Sequence, residues 1–475
     1  MRNLVGAVVV LGLHSSCTKT ETVYVAEPRF CFEIKPNFDE FVYTGMKKNS
    51  AKAGLPVEFN LCQPANFPYI YSWDLGDGTT SAEPYPQHTY TKRGSYTVSL
   101  FVKKGEHSID TIRQTLQVYA GDQYFAPDAA LPAFGVDLVE TSDKGILIIG
   151  YRPTSANDVR RRYFVLKLDA ALQQQWVREL PSGMVNLSSI QPITADRYIL
   201  TGHSDGISEQ YGLTCINEQG TVLWSKAYDL GRGLISYAAG TADGNIIAIG
   251  QKPILQGADT VGLRNTIITT TADGSLLSEK GFDDIGPLWG AENFLVENDA
   301  VVFAGNKPGV QCGGKCDSVF ITKILITSGL PLWSRAMQWY NSRALGNTRI
   351  VRTGATYQVS TRYESVLFNF TGDGQFLDRQ QLYTDSYGPG YQVATSDNLS
   401  LLLLSNKSSQ TSGSVVKLAT ASERKWQQSF AYPVSARSLS DGQLILLGHG
   451  NEGRFQNNKP VKLVVRKIGV QGDIY

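Results

Sequence analysis

Seven short apolar runs in this 475-residue chain end in Gly or Ser and then turn polar, at Tyr151-Arg152, His203, Gln251-Lys252, Asn306-Lys307, Thr361-Arg362, Asn406-Lys407 and His449. Five of the seven place Lys or Arg within two residues of the run, and Arg160, Arg161 and Arg162 add to the first. Arg152, His203, Lys252, Asn306, Lys307, Arg362, Lys407 and His449 therefore form a candidate ring of cationic and amide donors. Such a ring suits the oxygens of an acidic glycan, a lipopolysaccharide phosphate or an acidic partner protein. Lys and Arg at strand ends also simply solvate loops and block edge pairing. The pattern is compatible with both uses.

Signals for catalysis are sparse. The chain has five His, and His203 and His449 share a register without Asp or Glu at metal or acid/base spacing. No G-x-S-x-G, H-E-x-x-H or phosphate loop occurs, so no metal or cofactor is expected. A carboxylate pair drawn from different repeats, as in a glycoside hydrolase or lyase, has no signature in spacing and stays as the enzymatic alternative. Lys plus Arg number 44 and Asp plus Glu 43, so no net field favours nucleic acid.

The first residues, Met1-Arg2-Asn3, the apolar run Leu4–Leu13 and His14-Ser15-Ser16-Cys17, have the basic, apolar and small-residue regions of a secretory signal. That run is too short to span a bilayer. Export permits disulfides. Cys31 and Cys62 fall in one domain and are the expected pair. Cys312 and Cys316 flank Gly313-Gly314-Lys315, and with no second pair or nearby His a disulfide is favoured over zinc. Cys215 lies in the apolar run Tyr211–Ile216 and reads as a buried thiol.

The elements that must position these residues are strands. Tyr71-Ser72-Trp73-Asp74 runs into Leu75-Gly76-Asp77-Gly78, whose Asp-Gly step marks a hairpin turn. Further on, His88-Thr89-Tyr90 precedes Gly94–Val102, where alternation puts Tyr96, Val98, Leu100 and Val102 on one face. These residues resemble the PKD domain, with its W-D-F-G-D-G, H-x-Y and G-x-Y-x-V pattern, Leu75 standing in place of Phe. The resemblance implies an immunoglobulin-like sandwich over residues 29–119, with Trp73 filling the core and Tyr96 as a corner residue. It implies a spacer or display module, without chemistry of its own.

From residue 122 onward a pattern of about 50 residues recurs, with Asp243–Gly250, Ile267–Thr270 and Asp273–Leu277 as the clearest copy. Equivalent starts lie at Gly145, Arg197, Ala300, Ala355, Ser400 and Gln443, and Trp176, Trp224, Trp333 and Trp426 recur in the closing strands. Seven copies of four short strands predict an all-β, seven-bladed β-propeller over residues 122–475. The seventh copy runs out of chain before its last strand. Residues about 123–127 are expected to supply it, which removes a free sheet edge. The copies resemble lipid-anchored and secreted propellers of the Bacteroidetes type and, more weakly, quinone-enzyme propellers.

Small residues directly before Cys17 likewise resemble the lipobox of bacterial lipoproteins, with His14 where that family carries Leu. The resemblance implies a signal over residues 1–17, acylation of Cys17, a tether over residues 18–28, and an outer-membrane protein held by its N-terminal lipid. Whether it faces outward or into the periplasm stays open. The expectation is a binding protein for glycans or a protein partner, with a structural subunit of an outer-membrane complex as a further alternative.

Overall fold

A computed structural model describes residues 7–8, 23–24, 29–36, 49–65, 68–119, 122–127, 130–155, 160–181, 184–204, 211–228, 237–256, 259–282, 293–308, 317–339, 348–361, 366–381, 386–406, 412–418, 424–450 and 461–469. These residues contain strands and no helix, and they divide into two compact units near residue 120. Cys17, Cys312 and Cys316 lie outside the described residues.

The first unit is a two-sheet sandwich. One sheet orders Ser50–Lys52, His107–Tyr119, Gly94–Lys104, Tyr69–Asp74 and Thr80–Ser81; the other orders Phe32–Pro36, Pro56–Leu61 and Gln87–Thr89. Alternation along Gly94–Lys104 buries Val98, Leu100 and Val102 between them, with Tyr96 partly covered. Trp73, 1% exposed, joins the sheets: its ring meets Phe32 edge-on at 5.0 Å and Phe59 at 5.9 Å. Its indole N–H donates to the Glu83 carbonyl at 2.9 Å, which removes the cost of burying that donor.

The motif residues around Trp73 each have a physical task. Gly76 has φ +84°, and a Cβ there would lie 2.7 Å from the Thr97 carbonyl oxygen, so only Gly fits. Tyr90 donates to the Leu75 carbonyl at 2.7 Å and Tyr96 to the Lys92 carbonyl at 2.8 Å. His88 stands 2.7 Å from the Asp77 carboxylate. Partial burial pushes the Asp77 carboxyl up, but the His88 and Thr79 hydrogen bonds outweigh it and hold the group below the usual range. Cys31 and Cys62 are joined by a disulfide with their Cα atoms 5.4 Å apart.

The second unit is built from antiparallel sheets in chain order. The first four-stranded sheet is Phe134–Glu140, Ile146–Pro153, Arg161–Leu168 and Gln174–Glu179. The second is Met184–Thr194, Arg197–Ser204, Tyr211–Asn217 and Val222–Tyr228, and the third Ala238–Gly240, Ile246–Gln256, Asp259–Thr270 and Leu276–Phe282. The fourth is Phe294–Glu297, Ala300–Pro308, Asp317–Leu325 and Pro331–Trp339, and the fifth Thr348–Thr353, Thr356–Thr361, Val366–Thr371 and Phe376–Gln381.

The remaining strands form one seven-stranded sheet, because the 15-residue strand Arg424–Ser438 serves two repeats. Its first half pairs with Ser412–Leu418 and its second with Leu444–Gly450. Beyond these lie Ser386–Ala394 and Ser400–Asn406 on one side, Lys462–Ile468 and Gln123–Phe125 on the other.

The first and last repeats meet. Gln123, Tyr124 and Phe125 pair with Val465, Val464 and Leu463, a strand of three residues where five were expected. Just before it, Asp122 grips Arg466 with two hydrogen bonds of 2.6 and 3.0 Å, and both side chains are buried. On the inner strands Asp137 accepts from Ser435 and Arg437 of the last repeat and from the Ile190 amide of the second. Phe125, Leu138 and Ile148 share one core cluster with Ile445, Leu447 and Val465.

One recurring device joins neighbouring sheets and another braces single sheets. Three closing-strand Trp lie on the turn Gly of the next sheet: a Cβ on Gly220, Gly274 or Gly374 would fall 2.6, 2.8 or 2.5 Å from the rings of Trp176, Trp224 and Trp333. All three glycines also have positive φ. Inside the sheets, third-strand lysines reach carboxylates at the end of the first strand or in the turn after it. Lys167 meets Asp143 at 2.7 Å, Lys323 meets Glu297 at 3.0 Å, Lys417 meets Asp397 at 2.5 Å and Lys467 meets Asp441 at 3.4 Å. Burial acts to raise Asp143, Glu297 and Asp397, yet hydrogen bonds and these ammonium groups leave all three below the ordinary carboxylate range.

Candidate functional site

The two ends of the sheets of the second unit differ. At one end the strands join through tight turns such as Thr141–Gly145, Thr241–Asn245 and Thr271–Ser275, closed by backbone hydrogen bonds. The opposite end holds the longer connections between second and third strands, and it is here that the expected ring residues sit. Loops displayed by a rigid scaffold are where binding groups concentrate.

The structure moves these residues from loops into ladders. His203 pairs with Tyr211, Lys252 with Arg264, Asn306 with Val319, Lys307 with Ser318, Arg152 with Arg162 and His449 with Leu463. The strand Ile246–Gln256 continues well past Gly250, because the polar and apolar residues beyond it keep pairing up to Gln256 and Asp259. Arg362 and Lys407 lie outside the described residues, as do the side chains of His203, Asn306 and Lys307.

The described cations do not stand alone. Arg152 is paired with Glu179, which also holds Arg162 at 3.2 Å, and Lys252 meets Glu279 at 2.8 Å. Burial acts to raise Glu179, but the two guanidinium groups outweigh it and keep the carboxyl low. In both sheets the carboxylate comes from the fourth strand, which the sequence reading of the second-strand register did not consider. His449 brings no charge either. It is largely covered, burial depresses its pKa to about 4, and its Nδ1 has no hydrogen-bond partner.

What the register does bring together is an aromatic row across the last and first repeats. Tyr432 stacks on His449 at 4.9 Å and 27°, His449 meets Phe134 edge-on at 5.3 Å, and Phe134 stacks on Tyr151 at 5.1 Å and 19°. The Arg161 guanidinium lies 4.5 Å from the Tyr151 ring centre, a cation–π contact. Each of the four rings is partly exposed. Sequence reasoning named Tyr151, His449 and Arg161 but missed Phe134 and Tyr432. Their signal is an aromatic at the start of an inner strand, opposite the residue that follows the second-strand Gly.

Other chemistry is limited among the described residues. No group of three or more His, Cys, Asp or Glu is placed to hold a metal ion. The inner-strand carboxylate Asp137 is engaged by three donors, and Cys215 is a fully buried thiol whose pKa burial lifts to about 11.

Residues 41–114 match the family model of the PKD domain. The first unit carries a PKD domain. A stretch of 48 residues of this chain is 48% identical to the pre-pro-metalloprotease PrtV of Vibrio cholerae, and one of 49 residues is 45% identical to the collagenase ColA of Bacillus cereus. Each match covers 10% of this chain and 5% of the relative, so this chain spans only a small part of either protease.

The chain is similar to the β-propeller domain of the Trilobed protease from Pyrococcus furiosus, at 10% identity and TM-score 0.43, covering 71% of this chain and 93% of that one. A quinonprotein alcohol dehydrogenase-like protein from Bacteroides thetaiotaomicron gives 10% identity and TM-score 0.35, covering 82% of this chain and 96% of its own. The β-propeller architecture of residues 122–469 follows from the sheets themselves: successive four-stranded units, inner strands in contact, and a last sheet completed by the segment that precedes the first.

Proposed function

We propose that this chain is a non-catalytic, lipid-anchored protein of the cell envelope that captures glycans on the long-loop end of a seven-bladed propeller, with the PKD domain as a spacer. The observation that carries the reading is the row Tyr432, His449, Phe134 and Tyr151 with Arg161 beside it. Partly exposed rings set on strands offer rigid apolar area at low entropic cost, and flanking polar groups set orientation. With Arg152 and Lys252 already paired to carboxylates, the chemistry favours stacking of sugar rings over a purely ionic hold. The exported sequence features, a signal over residues 1–17 and Cys17 at its end, support display at a membrane surface. The seven-bladed count rests on the seven repeat copies, the last two of which share the Arg424–Ser438 strand.

The test is affinity electrophoresis of the full chain against a neutral dextran and an anionic polygalacturonate, at low and moderate salt. The reading predicts retardation that survives moderate salt and weakens at least tenfold, about 1.4 kcal/mol, in Tyr151→Ala and Tyr432→Ala. Retardation by neither polymer, or retardation unchanged in both variants, contradicts it. Retardation by polygalacturonate alone that vanishes with salt would instead restore an ionic ring.

A further inference from the structure

The short-turn end of the propeller carries a feature that glycan capture does not use. Leu223, Leu277, Leu332 and Leu377 occupy the same register at the start of the outer strands of four successive sheets, and they are 43%, 55%, 52% and 50% exposed. Leu276, Leu330 and Phe376 stand beside them, also exposed. Seven of the ten large apolar side chains exposed among the described residues thus lie on one arc. In the first and sixth repeats the corresponding positions are polar, Gln175 and Lys425, so the arc has ends.

Contacts between neighbouring sheets lie beside these residues. Trp224 sits against Gly274, next to Leu276; Lys280 and Gly281 abut Gly329, next to Leu330; and Trp333 sits against Gly374, next to Phe376. From their fractional exposures these seven residues, backbone atoms included, leave on the order of 700 Å² accessible, to be set against the ~300–600 Å² of the largest patch on a typical monomer and the ~800 Å² one partner gives to a standard interface. The outer strands are also sheet edges, hydrogen-bonded on one side only.

We propose that two copies of this chain associate through this arc, related by a two-fold axis. A two-fold contact sets the same patch against itself and so demands self-complementary charge. The arc carries both signs, Lys226, Lys280 and Arg335 together with Asp273 and Asp373, Lys226 acting electrostatically on Asp273 and Arg335 on Asp373. A bilayer is the poorer match. Pressing the leucines into anionic headgroups brings the exposed Asp273 and Asp373 against phosphates.

Sedimentation velocity of the full chain at micromolar concentration tests this. The expected result is twice the mass of the 52.0 kDa chain, with Leu277→Asp plus Leu332→Asp shifting the dissociation constant at least tenfold towards single copies. Gln175→Asp, off the arc, leaves association unchanged. A second pair, Leu223→Ser plus Leu377→Ser, with an unchanged melting curve, separates lost association from misfolding. Single copies at tens of micromolar, or association indifferent to both pairs, overturn the proposal. So do single copies that co-sediment with phosphatidylglycerol vesicles through these leucines, since the bilayer would then be the occupant. Dextran retardation is independent of this assay, so failure here leaves the glycan reading standing.

Discussion

Asp122→Ala should destabilise the propeller unit by about 3–5 kcal/mol, because it removes the carboxylate that two donors of a buried guanidinium engage. Arg466 is 1% exposed and its Nε and Nη2 both bind the Asp122 carboxylate, with its guanidinium also 4.9 Å from the Phe430 ring centre. Against a typical total of ~5–15 kcal/mol, that loss is a large fraction. Urea unfolding of the full chain should show the larger transition moving to lower denaturant while that of the PKD domain stays in place. Asp122→Ala combined with Arg466→Met should recover most of the loss, since an apolar replacement leaves no charge buried. A loss below about 1 kcal/mol in the single variant would mean that the pair is wetter than the structure places it.

A second large effect is expected from acid. Burial holds His449 at about 4 against about 6.5 in an unfolded chain, so the unfolded state takes up a proton that the folded state refuses. Stability conferred by the neutral imidazole is complete above pH 6.5 and falls as the pH drops to about 4, by up to about 3 kcal/mol. Below that it changes no further on this account. The carboxylates Asp143, Glu297 and Asp397, all held low, add their own loss, which begins near about pH 5 as the unfolded chain takes up protons and grows as the pH falls. His449→Phe keeps an aromatic between Tyr432 and Phe134 but cannot titrate. Its propeller stability should be nearly flat from about pH 6.5 to about pH 5, where only an imidazole would titrate, and the same slope in both proteins would assign the acid sensitivity elsewhere.

These two effects rest on contacts of very different legibility. The PKD sandwich was readable because its signals are local: Trp73, the turn at Asp77-Gly78 and the alternation of Val98, Leu100 and Val102 all lie within a few residues of the structure they specify. The repeat was readable for the same reason, since each Asp-Gly turn and each Gly after a second strand is punctuation inside one sheet. The Trp register was visible, but its cause was not, because Trp224 meets its Gly partner about 50 residues away in the next sheet. The buried lysines were equally hidden: Lys417 looks like a solvated strand residue until Asp397 is placed 2.5 Å away.

The site was less legible than the fold. A period-two strand tells which side a residue faces but not what the neighbouring strand sets opposite it. Arg152 and Lys252 therefore read as free cations although Glu179 and Glu279 lie across the sheet. Hairpin length was also misjudged, since Lys252 and Lys307 lie inside continued ladders where loops had been expected. The sixth and seventh repeats share Arg424–Ser438, and the sequence offers no Gly there to separate an outer strand from an inner one. The Tyr432–His449–Phe134 row exists only after the ring closes, so nothing local announces it.

Closure is best tested by a disulfide placed at the observed register, Tyr124→Cys with Val464→Cys, which face each other across the antiparallel pair. Their Cα atoms should then lie within the ~4.4–6.8 Å that a disulfide requires. The account predicts that the two thiols oxidise to an intramolecular bond in air, and that the bond raises the resistance of the propeller unit to urea. Thiols that stay reduced in the folded protein, or that link only between chains, would show that the segment after Asp122 does not complete the last sheet and that the ring is open.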